Sequence, residues 1–184
     1  MPYINIEIKA KCSNPDSIRE VLKSHNANFE GTDHQIDTYF KVNEGRLKLR
    51  EGNIENFLIF YSRADQAGPK QSDVILYKTE PNSPLKTALT QALGILVVVD
   101  KQREIYFIDN VKFHIDEVKD LGSFIEIEAS NKDGLIGKEK LHEQCQHYME
   151  LLGISETNLL ENSYSDMLLK PKTQPTKLST EISQ

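Results

Sequence analysis

Residues 101–118 read Lys101-Gln102-Arg103-Glu104-Ile105-Tyr106-Phe107-Ile108-Asp109-Asn110-Val111-Lys112-Phe113-His114-Ile115-Asp116-Glu117-Val118. Two β-prone runs flank Asp109-Asn110, a pair suited to a two-residue hairpin turn. Such a turn pairs residues whose numbers share one sum. Ile108 then faces Val111, Tyr106 faces Phe113 and Glu104 faces Ile115, while on the other side Phe107 meets Lys112, Ile105 meets His114 and Arg103 meets Asp116. The first face is mainly apolar and suits a cover of helices. The second carries Lys101, Arg103, Lys112, His114 and Asp116.

The same division of faces recurs at both ends of the chain. Asn5-Ile6-Glu7-Ile8-Lys9-Ala10-Lys11 and Ser123-Phe124-Ile125-Glu126-Ile127-Glu128 alternate charged or polar with apolar residues at period two, so a strand gathers the charges on one side. Two more alternating runs, 36–42 and 45–50, flank Asn43-Glu44 and predict a hairpin that places Arg46, Lys48 and Arg50 together. Further strands are expected near 56–64 and 73–80, with Gly68-Pro69 marking a loop between them, and at 95–108. Helices are expected over about 15–27, after the polar Ser13-Asn14 cap and Pro15; from Pro81-Asn82-Ser83-Pro84 to Leu93, stopped by Gly94; and over 138–152, where Leu141, Cys145, Tyr148 and Leu152 keep helical spacing. Eight β segments joined mostly as hairpins predict an α+β fold: an antiparallel eight-stranded barrel with flanking helices, since closure removes exposed sheet edges. The domain is expected over 1–169, and the Pro-, Thr-, Ser- and Lys-rich segment 170–184 is expected to be disordered.

The 184 residues suit one domain with a real core. The formal net charge of −6 argues against a general nucleic-acid binder. No apolar run is long enough for a membrane span, and nothing near Met1 resembles a signal peptide, which predicts a cytoplasmic protein. Cys12 and Cys145 form neither a metal spacing nor a disulfide framework. His25, His34, His142 and His147 have no ligand spacing, His114 reads more simply as packed, and no Walker-type glycine loop is present.

If the charged faces share one interior, its bases are Lys9, Lys11, Arg46, Lys48, Arg50, Arg63, Lys78, Lys101 and Arg103, and its acids are Glu7, Asp116, Glu126 and Glu128. The bases dominate. Like charges about 4 Å apart repel by ~4 kcal/mol at an effective dielectric near 20, so such a wall requires an anion. A triphosphate supplies one, while carboxylates at one end suit Mg²⁺ or Mn²⁺. Taken singly, an alternating Glu/Lys strand is more often a solvated face, and Arg103 with Asp116 reads equally well as a structural ion pair; the weight lies in their combination.

The chain resembles the CYTH superfamily of triphosphate tunnel metalloenzymes over about residues 3–169. The motifs are Asn5-Ile6-Glu7-Ile8-Lys9 in the place of Glu-x-Glu-x-Lys, Asp37-Thr38-Tyr39-Phe40, Leu47-Lys48-Leu49-Arg50-Glu51, Lys101-Gln102-Arg103-Glu104, His114-Ile115-Asp116-Glu117-Val118, Leu121-Gly122-Ser123-Phe124-Ile125-Glu126-Ile127-Glu128 and Tyr164-Ser165-Asp166-Met167-Leu168-Leu169. The set is most similar to the class IV adenylate cyclase branch. The resemblance implies that Glu7, Glu126 and Glu128 hold Mg²⁺ or Mn²⁺; that Lys9, Arg50, Lys78, Lys101 and Arg103 grip phosphate, with Lys11, Arg46, Lys48 and Arg63 added by the shared face; and that Lys9, Arg103 and Asp116 serve catalysis. It implies ATP cyclisation, with an inorganic, thiamine or nucleoside triphosphatase as the alternative, and a homodimer. Asn5 replaces the first Glu of the motif, and Ser62 stands where a Lys follows Tyr61. These departures motivate a third reading, a non-catalytic polyphosphate or nucleotide sensor.

Overall fold

The computed structural model describes residues 3–63, 68–131 and 134–170. The elements run β1 (Tyr3–Lys11), α1 (Pro15–Ser24), β2 (Asn28–Phe40), β3 (Arg46–Gly52), β4 (Phe57–Arg63), β5 (Lys70–Lys78), α2 (Leu85–Leu93), β6 (Ile95–Ile108), β7 (Val111–Val118), β8 (Gly122–Ser130), α3 (Lys138–Leu151) and α4 (Tyr164–Leu169). The strands close in the order β1-β5-β4-β3-β2-β6-β7-β8, and every neighbouring pair is antiparallel. The expected barrel is therefore the observed one. The β6–β7 register is the one the two-residue turn dictates, with Arg103 opposite Asp116 and Ile105 opposite His114.

Alternation then divides the residues. The outer faces of β1, β7 and β8 supply Ile6, Ile8, Ala10, Val111, Phe113, Ile115, Ile125 and Ile127, packed under Ile18 and Leu22 of α1 and Leu141, Cys145 and Met149 of α3. Helix α1 starts where Asn14 accepts the Ser17 amide and Pro15 presets the first turn. Its Arg19 reaches Glu104 of β6 at 2.6 Å, fixing the helix across the hairpin. A second cluster, Tyr39, Ile59, Tyr61, Val74, Val99, Val118, Phe124 and Tyr164, fills the barrel toward one end.

Several boundaries differ from expectation. Helix α1 ends at Ser24, not residue 27, because Asn26 takes a positive φ of 56°. Strand β2 begins at Asn28, eight residues before the alternating run, because its buried inner positions there are Asp33 and Gln35 instead of apolar groups. Strand β5 begins at Lys70, paired with Glu7, and takes the end of the expected loop. The β2–β3 connection spans 41–45, longer than Asn43-Glu44. Helix α2 starts at Leu85 and ends as expected at Gly94, whose φ is 75°. Helix α4 is an addition to the expected elements, and Ser163 and Asp166 form a capping box at its start. The tail expected to be disordered lies, from residue 171 onward, outside the described residues.

Candidate functional site

Inward-facing side chains of all eight strands enclose a cavity of about 170 Å³ lined on the charged side by Glu7, Lys9, Asp37, Lys48, Arg50, Lys101, Arg103, Lys112, His114, Glu126 and Glu128, with Glu55 reaching in from the β3–β4 loop. By the measure in which one water needs ~10–15 Å³, that is room for on the order of ten water-sized groups. The opposite wall, from β4 and β5, is mainly apolar: Phe57, Ile59, Val74 and Leu76, flanked by Tyr39 and Tyr61, with Ser72 as its polar member. Ser163 and Tyr164 of the α4 start complete the lining.

Two carboxylate-centred networks organise the cations. In the first, Asp37 accepts from Lys48 at 2.8 Å, Lys101 at 2.8 Å and Arg50 at 2.9 and 3.1 Å. Burial works to raise the Asp37 pKa, but Arg50, Lys101 and Lys48 together hold it well below the ordinary carboxylate range. Burial also lowers Lys101 to about 7, with Arg50, Arg103 and Lys48 adding to the effect and Asp37 opposing it. In the second network, Arg103 donates to Asp116 at 2.7 Å and to Glu126 at 2.7 Å, Lys9 pairs with Glu126, and Tyr164 donates its hydroxyl to Asp116 at 2.8 Å. Against the raising effect of burial, Lys9 and Arg103 keep Glu126 well below its ordinary range. Lys9 also lies 3.3 Å from the centroid of the Tyr164 ring.

His114 joins the second network through Nδ1, 3.1 Å from Glu126. Burial, reinforced by Arg103 and Lys112, lowers its pKa to about 4. Neutral and facing a carboxylate, the ring carries its proton on Nδ1, and Nε2 is buried without a hydrogen-bond partner.

The structure thus brings Lys9, Lys48, Arg50, Lys101, Arg103, Asp116, Glu7, Glu126 and Glu128 to one interior. It does not bring all the expected bases there. Lys11 and Lys78 are exposed at strand ends: both fall on inward rows, but past the enclosed part of the barrel. Arg46 is half-buried and pairs with Asp166 of α4 at 2.9 Å instead of lining the cavity. Arg63 pairs in register with Ser72, and its side chain lies outside the described residues. Ser62 pairs with Asp73 on the exposed outer face, so a Lys there would not reach the interior.

The expected excess of base over acid is corrected as well. Among the described lining residues, six cations (Lys9, Lys48, Arg50, Lys101, Arg103 and Lys112) meet five carboxylates (Glu7, Asp37, Glu55, Glu126 and Glu128). To the expected wall the structure adds the acids Asp37 and Glu55 and the base Lys112. Asp37 was findable, because it sits opposite Arg50 in the β2–β3 hairpin. Glu55 belongs to a loop, where no periodicity points inward.

For a divalent cation, Glu7 and Glu128 stand directly opposite each other on β1 and β8, with Lys9 and Glu126 the next inward pair. Asn5, one inward position further along β1, keeps its Oδ1 buried without a hydrogen-bond partner. These are hard oxygen donors of the kind Mg²⁺ and Mn²⁺ take, and in that respect the residues fit. Among the described residues, no group of three or more His, Cys, Asp or Glu is already arranged around a cation position. Glu126 is engaged by Lys9, Arg103 and His114.

Comparison with known families matches residues 3–164 to the CYTH domain. A protein named "Putative adenylate cyclase" from Methanocaldococcus jannaschii is 29% identical over 173 residues, covering 89% of this chain and 98% of the relative. Among solved structures, the PH1012 protein of Pyrococcus horikoshii superposes with a TM-score of 0.75 at 21% identity, covering 88% of this chain and 98% of that one. A structure from Hippeastrum, described as a "putative adenylyl cyclase" that reveals a dominant triphosphatase activity, superposes with a TM-score of 0.57 at 15% identity over 89% of this chain and 93% of that one. Among the described residues, no helix is long and apolar enough to cross a membrane.

Proposed function

Since the chain belongs to the CYTH domain family, we propose that its barrel binds a triphosphate and acts on ATP, closing the ribose 3′-oxygen onto the α-phosphorus to give cyclic AMP and pyrophosphate. The observation that carries this reading is the convergence of Lys9, Lys48, Arg50, Lys101, Arg103 and Lys112 on one enclosed space about the size of a triphosphate chain. The name carried by the Methanocaldococcus relative supports cyclisation as the outcome. An incoming triphosphate, roughly −4 in charge, replaces internal carboxylates as partner of these cations. The apolar strip of Phe57, Ile59, Val74 and Leu76 favours a substrate with an organic part over a bare phosphate chain.

In this reading the residues act mainly by position and charge. Arg103 and Lys9 neutralise charge that develops on the departing pyrophosphate, and Asp116, with Tyr164 behind it, keeps the Arg103 guanidinium oriented. Lys48, Lys101 and Arg50 hold the phosphate chain along the β2–β3–β6 wall. Glu7, Glu128 and Asn5, with Glu126 once it exchanges partners, would hold Mg²⁺ or Mn²⁺. The ion would neutralise phosphate charge and lower the pKa of the attacking hydroxyl.

A triphosphatase is the second reading, favoured by the activity described for the Hippeastrum protein with the same barrel; water would then attack the terminal phosphorus. Incubation of the purified protein with ATP and Mg²⁺ or Mn²⁺, followed by product separation, tests both. Cyclic AMP with pyrophosphate supports the cyclase, and ADP with phosphate supports the triphosphatase. Tight ATP binding without turnover overturns both in favour of a sensor. If Glu7→Ala and Glu126→Ala leave turnover unchanged, the metal assignment is wrong.

A further inference from the structure

Glu55 is the one described carboxylate of the cavity wall supplied by a loop instead of a strand. The loop backbone is pinned. The buried carboxylate of Asp33 accepts the Ile54 amide at 2.8 Å and the Glu55 amide at 3.0 Å, and Asn56 closes on Gly52 in both directions, at 3.3 and 2.8 Å. Gly52 is required there, because a Cβ would come within 2.7 Å of both Asp33 oxygens.

From this fixed base the Glu55 side chain extends into the cavity. Its carboxylate accepts from Arg50 at 2.8 Å, from Gln35 at 3.0 Å and from Lys112. Three donors, two of them cationic, thus converge on it from β3, β2 and β7. Such an arrangement suits a phosphoryl group as well as a carboxylate, since both present several acceptor oxygens to charged donors. Asp37 is the less exchangeable anion: it takes four bonds from three cations, and its side chain is 2% exposed against 15% for Glu55.

We infer that the Glu55 carboxylate occupies the seat of one phosphoryl group of the incoming ligand, and that binding exchanges it away from Arg50 and Lys112 by rotation of the side chain, with the loop backbone held in place. This rests on the triphosphate reading and adds a specificity determinant to it. Glu55 makes entry depend on the charge of the ligand: a triphosphate competes for Arg50 and Lys112, whereas weakly charged anions leave Glu55 seated.

The test is calorimetric titration of the full chain, without metal, with inorganic tripolyphosphate. The wild type is compared with Glu55→Gln, which keeps the shape and removes the charge, and with Glu55→Ala. Both variants are expected to bind about tenfold more tightly, a gain of ~1.4 kcal/mol. Unchanged or weaker binding by folded variants, beside a wild type that binds, overturns the inference and leaves the triphosphate reading standing. Absence of binding by wild type and variants alike overturns both. A wild-type structure with bound tripolyphosphate gives a second measurement that does not depend on the variants folding. Glu55 displaced from Arg50 and Lys112 is the expected result, and both contacts retained overturns the inference.

Discussion

Replacing Asp37 by Asn keeps the shape of the side chain and removes the charge that balances Lys48, Lys101 and Arg50. All three lie within hydrogen-bonding distance of it in the interior. Removing one partner from a buried ion pair costs about 3–5 kcal/mol. Mutual repulsion among three cations would exceed that, at ~4 kcal/mol for each pair near 4 Å, but Lys101 already has its pKa near 7 and relieves the strain by losing its proton. The expected loss therefore stays at about 3–5 kcal/mol. For a chain of this length that corresponds to a melting temperature lower by roughly 6–20 °C. The assay is thermal melting at neutral pH and low salt, with and without inorganic tripolyphosphate and without metal. The ligand supplies the missing anion, so it should raise the melting temperature of Asp37→Asn by more than that of the wild type. A variant melting within about 2 °C of the wild type, or an equal ligand effect on both, would refute Asp37 as the internal counter-charge.

Glu126→Gln removes the charge shared by Lys9, Arg103 and His114; turnover of the triphosphate substrate should fall about 100-fold or more, measured on protein shown by melting to be folded. His114 has a folded pKa near 4, while the unfolded chain takes up that proton near 6.5. Between these values the unfolded state binds more protons, so stability rises with pH, by at most about 1.4 kcal/mol per pH unit; urea unfolding across this window should show the slope, and His114→Asn should flatten it. Lys101 is mostly neutral at about pH 8, and a phosphate brought beside it favours the charged form. Tripolyphosphate binding should then take up about one proton, read from calorimetry in two buffers of different ionisation enthalpy, and Lys101→Arg should abolish the uptake.

The β6–β7 hairpin shows how much of the site can be read from the chain itself. A two-residue turn leaves no freedom in register, so Arg103 and Asp116 had to meet, and alternation did the rest for Glu7, Lys9, Glu126 and Glu128. Residues outside regular alternation were less legible. Asp33 and Gln35 face inward where an apolar residue would have announced the strand, which hid the first half of β2. Lys11 and Lys78 share the parity of the inner wall, but parity does not say where along a strand the enclosure ends. Glu55 enters from a loop whose position depends on Asp33, a partner 22 residues earlier. The charge balance divides in the same way only at Glu55, which enters from a loop that no alternation marks; Asp37 and Lys112 lie on inward rows of predicted hairpins, opposite Arg50 and Phe107, and are legible there.

The place of β1 between β5 and β8 bears on how the chain reaches its fold during synthesis. Lys9 meets Glu126 across a separation of 117 residues, so one edge of β1 stays unpaired until β8 has left the ribosome. At ~5–20 residues per second that is a delay of roughly 6–23 s, with an open strand edge of the kind that invites intermolecular pairing. During this interval Glu7, Lys9 and Lys11 alternate with Ile6, Ile8 and Ala10 along the waiting strand, and their charges oppose its addition to another molecule's sheet. Charges that end on the inner rows of the barrel thus first guard an open strand edge, and replacing Lys9 or Glu7 by an apolar residue is expected to lower the yield of folded protein independently of any effect on the cavity.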